Sequence, residues 1–378
     1  MRYGLIAFLV LTACLLGQQA PSQETAPPTS LPMTGMEDPR FRAFDEAMQK
    51  YMQERSIAAG TLAVRWHNKL IYERAYGYAD REKTQPLTPD AMFRLASVTK
   101  PMTAAAIRCL VADGKLSLNE KVFEILKFDP PATDPDPRLA EITVDHLIYH
   151  HGGWDRSTSF DPLFSPFRIA EAMNLDHTPT PREIAQYMLT QPLQFNPGER
   201  RAYSNFGYLL LGLIIEERSG MSFEAYMQNR VMAPLGIRDC YLARTREDQQ
   251  REGEIWYAYQ GYSRSVLDLS SREPAPWAYG GFSLEAQFAN GGLVMRARDV
   301  ARFMETYDAF GNPLQKGAHW LHFGAMPGTY TMALWRSDGM KIVALFNQRN
   351  GGRNLREDAI RDMLDAAANQ VLEQLNAD

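Results

Sequence analysis

The sequence predicts a mixed α/β (α+β) fold in which an antiparallel sheet, flanked by helices, is formed from both ends of the chain. Near the N-terminal end, the β-like runs GTLAVRW and LIYERAYGYAD surround the polar triplet HNK, a pattern typical of a hairpin. Near the C-terminal end, TYTMALWRS and MKIVALFNQ flank Asp338-Gly339 in the same way. Apolar helical runs lie between the two hairpins, so we expect a mostly helical region inserted into the sheet domain.

The spacing of apolar residues predicts several helices. DPRFRAFDEAMQKYMQERS has apolar residues at helical spacing, PMTAAAIRCLVADGKL predicts a helix that ends at Gly114, and NFGYLLLGLIIEERSG predicts a second strong helix. An amphipathic helix is expected over residues 355–375. These elements predict a folded domain at 37–376, with an α/β part at about 37–125 and 285–376 and a helical part at about 126–284.

Composition and charge are those of an ordinary globular protein. The 378 residues are 45% hydrophobic and carry a formal net charge of −5, which fits one large domain or two smaller ones. The mild acidity and the lack of a basic stripe in the sequence argue against a nucleic-acid partner.

The first residues differ from the rest of the chain. MRYGLIAFLV has one basic residue followed by an apolar run too short to span a bilayer, which predicts a signal peptide at residues 1–13. LTAC resembles a bacterial lipobox, in which the cysteine, here Cys14, is lipidated after cleavage; an ordinary leader cut nearer Ala20 is the alternative. The Pro-, Ser- and Gln-rich stretch at 14–36 predicts a disordered tether. We therefore expect export to the bacterial envelope or periplasm, with membrane attachment through the lipid or, without it, secretion.

Two cysteines remain beyond Cys14. Cys109 and Cys240 can form a disulfide in an exported chain, but Cys109 lies in an apolar helical run where a buried free thiol is equally expected. The sequence has no CxxC pair and no Cys/His spacing typical of a zinc site.

Ser97 and Lys100 are the first candidates for chemistry. They form the SxxK of SVTK at a predicted helix start, where residues i and i+3 share one face of the helix. A serine hydroxyl needs a nearby base to become a nucleophile, and a lysine acts as a base when burial or a helix N-terminus destabilises its ammonium. Polar residues at the start of a surface helix are the alternative interpretation.

Two further triplets carry candidate residues. Tyr203 can relay protons and Asn205 can hold a substrate carbonyl or orient Lys100, although Ser204 or Asn205 is also a good helix N-cap. On a strand, His322 and Gly324 face the same way, and the glycine allows a ligand close to the backbone.

Together and in this order, SVTK, YSN and HFG resemble the three active-site elements of the serine β-lactamase and penicillin-binding protein superfamily. The resemblance is closest to its class C, DD-peptidase and esterase branch, and FNPGERRAYSNFGYLLLGLIIEE and NGGLVMRARDVARFM extend it over roughly residues 45–368. It implies a β-lactamase/transpeptidase-like fold and a serine hydrolase that works through an acyl-enzyme, without metal or cofactor.

The resemblance also implies a role for each motif residue. Ser97 is then the acylated nucleophile, Lys100 and Tyr203 share proton transfer, and Asn205, His322 and Gly324 contribute to substrate binding. The backbone N–H groups of Ser97 and Ala325 are then the oxyanion hole, which binds charge that exists only in the transition state.

One departure from the family pattern bears on the substrate, which is expected to be a small molecule or a peptide. His322 replaces the lysine of the Lys-Thr-Gly that β-lactamases of this branch usually have, and Phe323 replaces the small polar residue. A histidine is largely neutral near pH 7 and binds a carboxylate less firmly than lysine. We therefore expect action on esters, amides or D-amino-acid peptides. A penicillin-binding sensor that acylates without turnover and a true class C-type β-lactamase are the alternatives.

Other residues have weaker signals. His146 and His150 are spaced i, i+4, but without a third ligand in register a structural role beside the active-site loop is favoured. Arg349 and Arg353 are candidates for a substrate carboxylate. Five aromatic residues can wall a pocket or fill the core: Trp154, Trp256, Tyr257, Tyr259 and Trp277.

Overall fold

The computed structural model describes residues 30–131, 134–315, 319–349 and 356–376. Its α-helices are α1 Arg42–Glu54, α2 Thr99–Ala112, α3 Val122–Ile125, α4 Val144–Ile148, α5 Pro166–Met173, α6 Pro181–Met188, α7 Asn205–Ser219, α8 Phe223–Tyr226, α9 Ala297–Phe303 and α10 Ala359–Leu375. Its strands are β1 Met33–Gly35, β2 Ala59–Trp66, β3 Lys69–Gly77, β4 Phe93–Arg94, β5 Tyr241–Leu242, β6 Tyr262–Arg264, β7 Pro274–Pro276, β8 Leu293–Met295, β9 Trp320–Met326, β10 Thr329–Trp335 and β11 Lys341–Phe346.

The largest sheet joins the two ends of the chain, as the sequence predicts. Its strand order is β1-β3-β2-β11-β10-β9, and each neighbouring pair is antiparallel. The β2–β3 hairpin turns at His67 and Asn68, whose φ angles of 49° and 59° fit a two-residue turn with left-handed central residues. The two predicted hairpins are therefore present, and the β2–β11 pairing brings them together.

Helices cover both faces of this sheet because its strands alternate their apolar side chains. Tyr51 of α1 packs on Phe346 of β11, with ring centroids 5.1 Å apart, and α1 also packs against α10. On the opposite face, Ala63 of β2 and Val343 of β11 belong to the same buried core as Val300 of α9. Successive side chains of a strand point to opposite faces, so one buried strand serves two cores.

Regular structure is present before the expected boundary at residue 37. Strand β1 pairs with β3, and the Gly77 N–H donates to Pro32 O at 2.9 Å. Backbone hydrogen bonds form this strand, so the polar, proline-rich composition gave no sign of it. Cys14 and the expected signal peptide lie outside the described residues. In the part of the chain that the structure describes, no helix is long and apolar enough to cross a membrane.

The region between the sheet halves contains helices α4 to α8, and it also contributes to two small sheets. Strands β4, β8 and β5 form a three-stranded sheet in the order β4-β8-β5. Strands β6 and β7 pair with each other. Cys109 is half-buried and Cys240 is buried, and both are free thiols.

A buried arginine anchors the strand that leads into Ser97. Arg94 and Glu254 form an ion pair, with Nε 3.3 Å from Oε1, and their side chains are 0% and 1% exposed. Arg94 Nη1 also donates to Ala278 O at 2.8 Å, and the guanidinium lies 4.0 Å from the centroid of the Tyr257 ring. An ion pair this deep depends on both partners, since either charge alone is costly to bury.

We expect Arg94→Met to lower the free energy of unfolding by about 3–5 kcal/mol, because it leaves the Glu254 carboxylate buried without its cation. Urea unfolding measures the change. The double variant Arg94→Met/Glu254→Gln removes the unpaired charge and should recover most of the loss. A single variant that loses less than about 1 kcal/mol would show that the pair contributes little.

Candidate active site

Ser97 lies where β4 ends and α2 begins. A 3-10 turn, Ala96–Val98, joins the two elements, and Ala96 has a φ of 47°, a left-handed value that is uncommon for a residue with a side chain. Two hydrogen bonds hold the preceding residue: Leu95 N donates to Leu293 O at 2.8 Å, and Thr331 Oγ1 donates to Leu95 O at 2.8 Å. The surrounding strands thus fix a strained turn that places Ser97 in the first turn of the helical segment.

Lys100 is buried directly beneath Ser97. Its Nζ lies 3.1 Å from Ser97 Oγ, 2.8 Å from Asn205 Oδ1 and 2.8 Å from Asn290 O. Burial lowers the pKa of Lys100, because the charged ammonium loses its hydration. Tyr203 and Asp161 act in the opposite direction.

This set of contacts matches a neutral amine as well as an ammonium. A neutral amine has two N–H donors and one lone pair. Asn205 Oδ1 and Asn290 O can only accept, so they take the two N–H groups, and the lone pair then faces Ser97 Oγ. In that state Lys100 is arranged to receive the hydroxyl proton of Ser97.

Tyr203 contacts Ser97 as well as Lys100. Its hydroxyl lies 2.7 Å from Ser97 Oγ, and the Lys100 Nζ lies 4.9 Å from the centroid of its ring. The His150 ring packs against Tyr203 with a centroid separation of 4.6 Å, and His150 Nδ1 accepts a hydrogen bond from Ser204 N at 3.2 Å. His150 thus supports the YSN segment, as expected for a structural histidine.

The YSN segment also starts α7. Ser204 is the N-cap, and its hydroxyl accepts from Gly207 N at 3.1 Å. Asn205 follows as the first helical residue and uses its amide on two protein partners: Oδ1 accepts from Lys100, and Nδ2 donates to Asp161 Oδ2 at 2.7 Å. Of the two functions that the sequence suggests for Asn205, these contacts favour orientation of Lys100.

The HFG segment lies on β9, the edge strand of the large sheet. An edge strand directs part of its backbone N–H and C=O groups away from the sheet, where a ligand can reach them. A Cβ at Gly324 would lie 2.2 Å from Thr331 Oγ1 and 2.3 Å from Leu95 O. Only glycine therefore lets this strand approach the turn that carries Ser97.

His322 keeps part of its surface open to the cleft, although protein surrounds most of the ring. Burial lowers the pKa of His322, and the positive charge of Lys100 lowers it further. The imidazole is therefore neutral at pH 7 and offers no full positive charge to a substrate carboxylate.

These segments line one open cleft of about 530 Å³. Its described lining comprises Ser97, Arg156, Phe164, Tyr203, Asn205, Gln287, Asn290, Gly291, Leu321, His322, Phe323, Ala325, Met326, Tyr330, Glu357 and Asp358. Its aromatic wall comes from Phe164, Phe323 and Tyr330 instead of the five aromatic residues that the sequence suggested. Arg349 pairs with Glu357 at 2.9 Å, and Arg353 lies outside the described residues.

The other predicted histidine has a local structural role. His146 completes a capping box at the start of α4, where its Nδ1 accepts from Thr143 N at 3.3 Å. Within the described ranges, no three His, Cys, Asp or Glu side chains are grouped to bind a metal ion.

Sequence reasoning missed three residues around Lys100: Asp161, Arg156 and Asn290. Asp161 and Arg156 lie in the proline-broken loops between α4 and α5, where the sequence pattern predicted no element. Asn290 opens NGGLVM, a stretch that resembles the family, but it contributes a backbone carbonyl, which has no sequence signature.

A family model for Beta-lactamase matches residues 44–367. The chain belongs to the Beta-lactamase family. Among its relatives, Esterase EstB of Burkholderia gladioli is 32% identical over 283 residues, which cover 70% of this chain and 69% of the esterase. Penicillin-binding protein 4* of Bacillus subtilis (strain 168) is 30% identical over 203 residues, or 53% of this chain and 41% of that protein. The predicted membership of the serine β-lactamase and penicillin-binding protein superfamily is confirmed.

Solved structures of lower sequence identity share the fold. D-amino acid amidase from Ochrobactrum anthropi SV3, complexed with D-phenylalanine, superimposes with a TM-score of 0.65 at 21% identity. The match covers 89% of this chain and 100% of the amidase. The likeness confirms the predicted β-lactamase/transpeptidase-like fold class.

The buried His150 predicts acid sensitivity. Burial lowers the pKa of His150 to about 2, against about 6.5 in an unfolded chain. Below pH 6.5 the unfolded chain therefore binds a proton that the folded protein does not. The free energy of unfolding consequently decreases as the pH is lowered. This one group accounts for about 2 kcal/mol of lost stability between pH 7 and pH 5.

We expect His150→Asn, which keeps an acceptor for Ser204 N and tolerates the φ of 63°, to lose stability less steeply over this interval than wild type. Unfolding in urea at several pH values measures the slope. His177 provides the control of opposite sign: hydrogen bonds to Asp176 and Glu183 raise its pKa, so its protonation supports folding at low pH. His177→Asn should therefore steepen the loss. Equal slopes for wild type and His150→Asn would contradict the prediction.

Proposed function

We propose that the protein is a serine hydrolase that acts through an acyl-enzyme on esters, amides or D-amino-acid peptides. The observation that carries the proposal is the contact of Ser97 Oγ with two proton-transfer groups, Lys100 Nζ at 3.1 Å and the Tyr203 hydroxyl at 2.7 Å. Relatives named as an esterase and as a putative D-alanyl-D-alanine carboxypeptidase support hydrolysis as the reaction.

The acylation step follows from these contacts. Ser97 Oγ attacks the substrate carbonyl carbon while its proton moves to the neutral Lys100 amine, and the carbonyl electron pair moves onto oxygen. When the tetrahedral intermediate collapses, the bond to the leaving group breaks, and Tyr203 donates a proton to the departing oxygen or nitrogen. The proton held by Lys100 restores the tyrosine hydroxyl.

Water completes the cycle. It attacks the acyl carbonyl and passes a proton to the same Lys100–Tyr203 pair, the Ser97 ester bond breaks, and the acid product leaves as Ser97 regains its proton. The proposed oxyanion hole is formed by the backbone N–H groups of Ser97, in the first helical turn, and Ala325, on the edge strand. Removal of one such donor typically costs about 3–4 kcal/mol of transition-state stabilisation.

The shape of the cleft favours an apolar acyl group without a required carboxylate. Phe323 stacks on Tyr330 with ring centroids 5.9 Å apart, so apolar surface stands where many family members have a small polar residue. His322 is neutral and binds a carboxylate weakly.

We also propose that the protein is exported and lipid-anchored through Cys14 at the bacterial envelope. The apolar run before LTAC and the Pro-, Ser- and Gln-rich stretch after it support this location.

The nucleophile is tested by covalent labelling with a fluorophosphonate. The wild type should be labelled at Ser97, and Ser97→Ala should lose labelling and at least about 10⁴-fold of its hydrolytic activity while its thermal unfolding stays unchanged. Ser270→Ala, on the exposed surface, is the matched control and should label normally. Peptide mapping that places the adduct on another serine would overturn the assignment.

The substrate ranking is tested with a panel of short-chain aryl esters, D-Ala-D-Ala peptides, penicillins and cephalosporins. We expect esters to have the highest kcat/KM, because they have better leaving groups than amides and need no carboxylate contact. His322→Lys should shift the balance towards β-lactams by supplying a positive charge. A cephalosporin hydrolysed tenfold more efficiently than any ester would contradict the ranking, since tenfold corresponds to about 1.4 kcal/mol of transition-state preference. Acylation by a β-lactam without turnover would instead support the sensor alternative.

The location is tested by fractionating bacterial cells that express the full chain. Wild type should sediment with membranes and Cys14→Ser should not, because stable anchoring needs more than one acyl chain and the cysteine is their attachment point. Cys109→Ser, which leaves the N-terminal segment intact, should fractionate as wild type. Equal solubility of wild type and Cys14→Ser would contradict the lipid anchor.

A further inference from the structure

Asp161 contacts the back of the candidate active site. Its Oδ2 accepts from Asn205 Nδ2 at 2.7 Å and lies 3.4 Å from Arg156 Nη1, and its Oδ1 accepts from Leu163 N at 3.2 Å. It lines a second, smaller cavity of about 140 Å³, which borders Asn205, and it is absent from the described lining of the main cleft. Asp161 therefore reaches the site through Asn205 and not through a substrate.

The carboxylate determines which way the Asn205 amide points. An ionised carboxylate can only accept hydrogen bonds, so it requires the NH₂ group of Asn205 on its side. The carbonyl oxygen of the amide is then left facing Lys100 Nζ, at 2.8 Å. With the amide reversed, two donors would face each other at Lys100 and two acceptors would face each other at Asp161. Asp161 thus excludes the orientation that would repel the Lys100 N–H groups.

Asp161 and Arg156 also have opposite electrostatic effects on Lys100. The negative charge of Asp161 raises the pKa of Lys100, and the positive charge of Arg156 lowers it. Arg156 lies at the mouth of the site, with its guanidinium 4.9 Å from the Tyr203 ring centroid and its side chain 48% exposed. Among the described residues, Tyr203, Tyr208, His150 and His322 are further titratable groups near Lys100, and the positive charge of Arg201 acts on the last three.

We propose that Asp161 is a positioning residue that orients the Asn205 amide towards Lys100, and that the Asp161–Arg156 pair balances the charge around the Lys100 amine. The inference rests on the proposed function, because it assigns to Lys100 the part of the base that activates Ser97. Asp161 and Arg156 themselves lie outside the three sequence motifs.

The test measures the rate at which a fluorophosphonate labels Ser97 as a function of pH, which reports acylation alone. Lys100 must be neutral to act as a base, so the acidic limb of this profile follows its deprotonation. Asp161→Asn removes a negative charge that stabilises the ammonium, so the limb should move to lower pH. Arg156→Gln removes a positive charge that destabilises the ammonium, so the limb should move to higher pH.

Orientation is tested by comparing two substitutions of Asp161. Asp161→Ala removes both the charge and the acceptor, and we expect the maximal labelling rate to fall about tenfold or more, as for other small losses of active-site alignment. Asp161→Asn keeps a carbonyl acceptor for Asn205 Nδ2 and should recover most of that rate while its limb remains shifted. Circular dichroism checks the fold, and if Asp161→Ala is unfolded, the opposite shifts of Asp161→Asn and Arg156→Gln decide the question.

Asp155→Asn is the matched control. Asp155 lies in the same loop and pairs with Arg200 at 2.9 Å, so its substitution changes the net charge equally without touching Asn205. Its profile should match wild type. Limbs that stay in place or move in the same direction for Asp161→Asn and Arg156→Gln would overturn the inference, as would an unchanged rate in a folded Asp161→Ala. A wild type that is not labelled at Ser97 would instead overturn the proposed function.

Discussion

The buried amine of Lys100 is the constraint on which the candidate site depends. A lysine without solvent must have a partner for each of its polar positions, or it costs several kcal/mol of stability. Its partners come from separate parts of the chain: Ser97 in its own helical segment, Asn205 at the start of α7, and the Asn290 carbonyl ahead of β8. The hydrogen bonds of the Lys100 amine therefore connect the helical region to the sheet domain.

The same constraint explains why the three motifs have their particular residues. Ser97 can lie above Lys100 because Leu95 and Ala96 are held in a strained turn against β10 and β8, and Gly324 lets β9 come close to that turn. Ser204 caps α7 so that Asn205 enters the site as the first helical residue. Each motif thus combines a reactive group with the local backbone geometry that presents it.

Local signals made most of this predictable from the sequence. Turn residues identified both hairpins, periodicity identified α2 and α7, and i, i+3 spacing placed Ser97 beside Lys100. What the sequence did not reveal depends on contacts between distant segments. Asp161 meets Asn205 across 44 positions, strand β1 pairs with β3 through backbone hydrogen bonds, and Tyr330 joins the cleft through the packing of β10. Composition and spacing carry no record of such contacts.

The distribution of charge in the cleft bears on the proposed substrate class. Among the described lining residues, Arg156 carries the one positive side chain, and it already faces the carboxylate of Asp161. Glu357 and Asp358 contribute negative charges at the same cleft, each paired with an arginine. In the proposed function, a substrate carboxylate that binds Arg156 would share its guanidinium with Asp161. A neutral acyl group needs no contact with Arg156, which agrees with the proposed preference for substrates without a carboxylate.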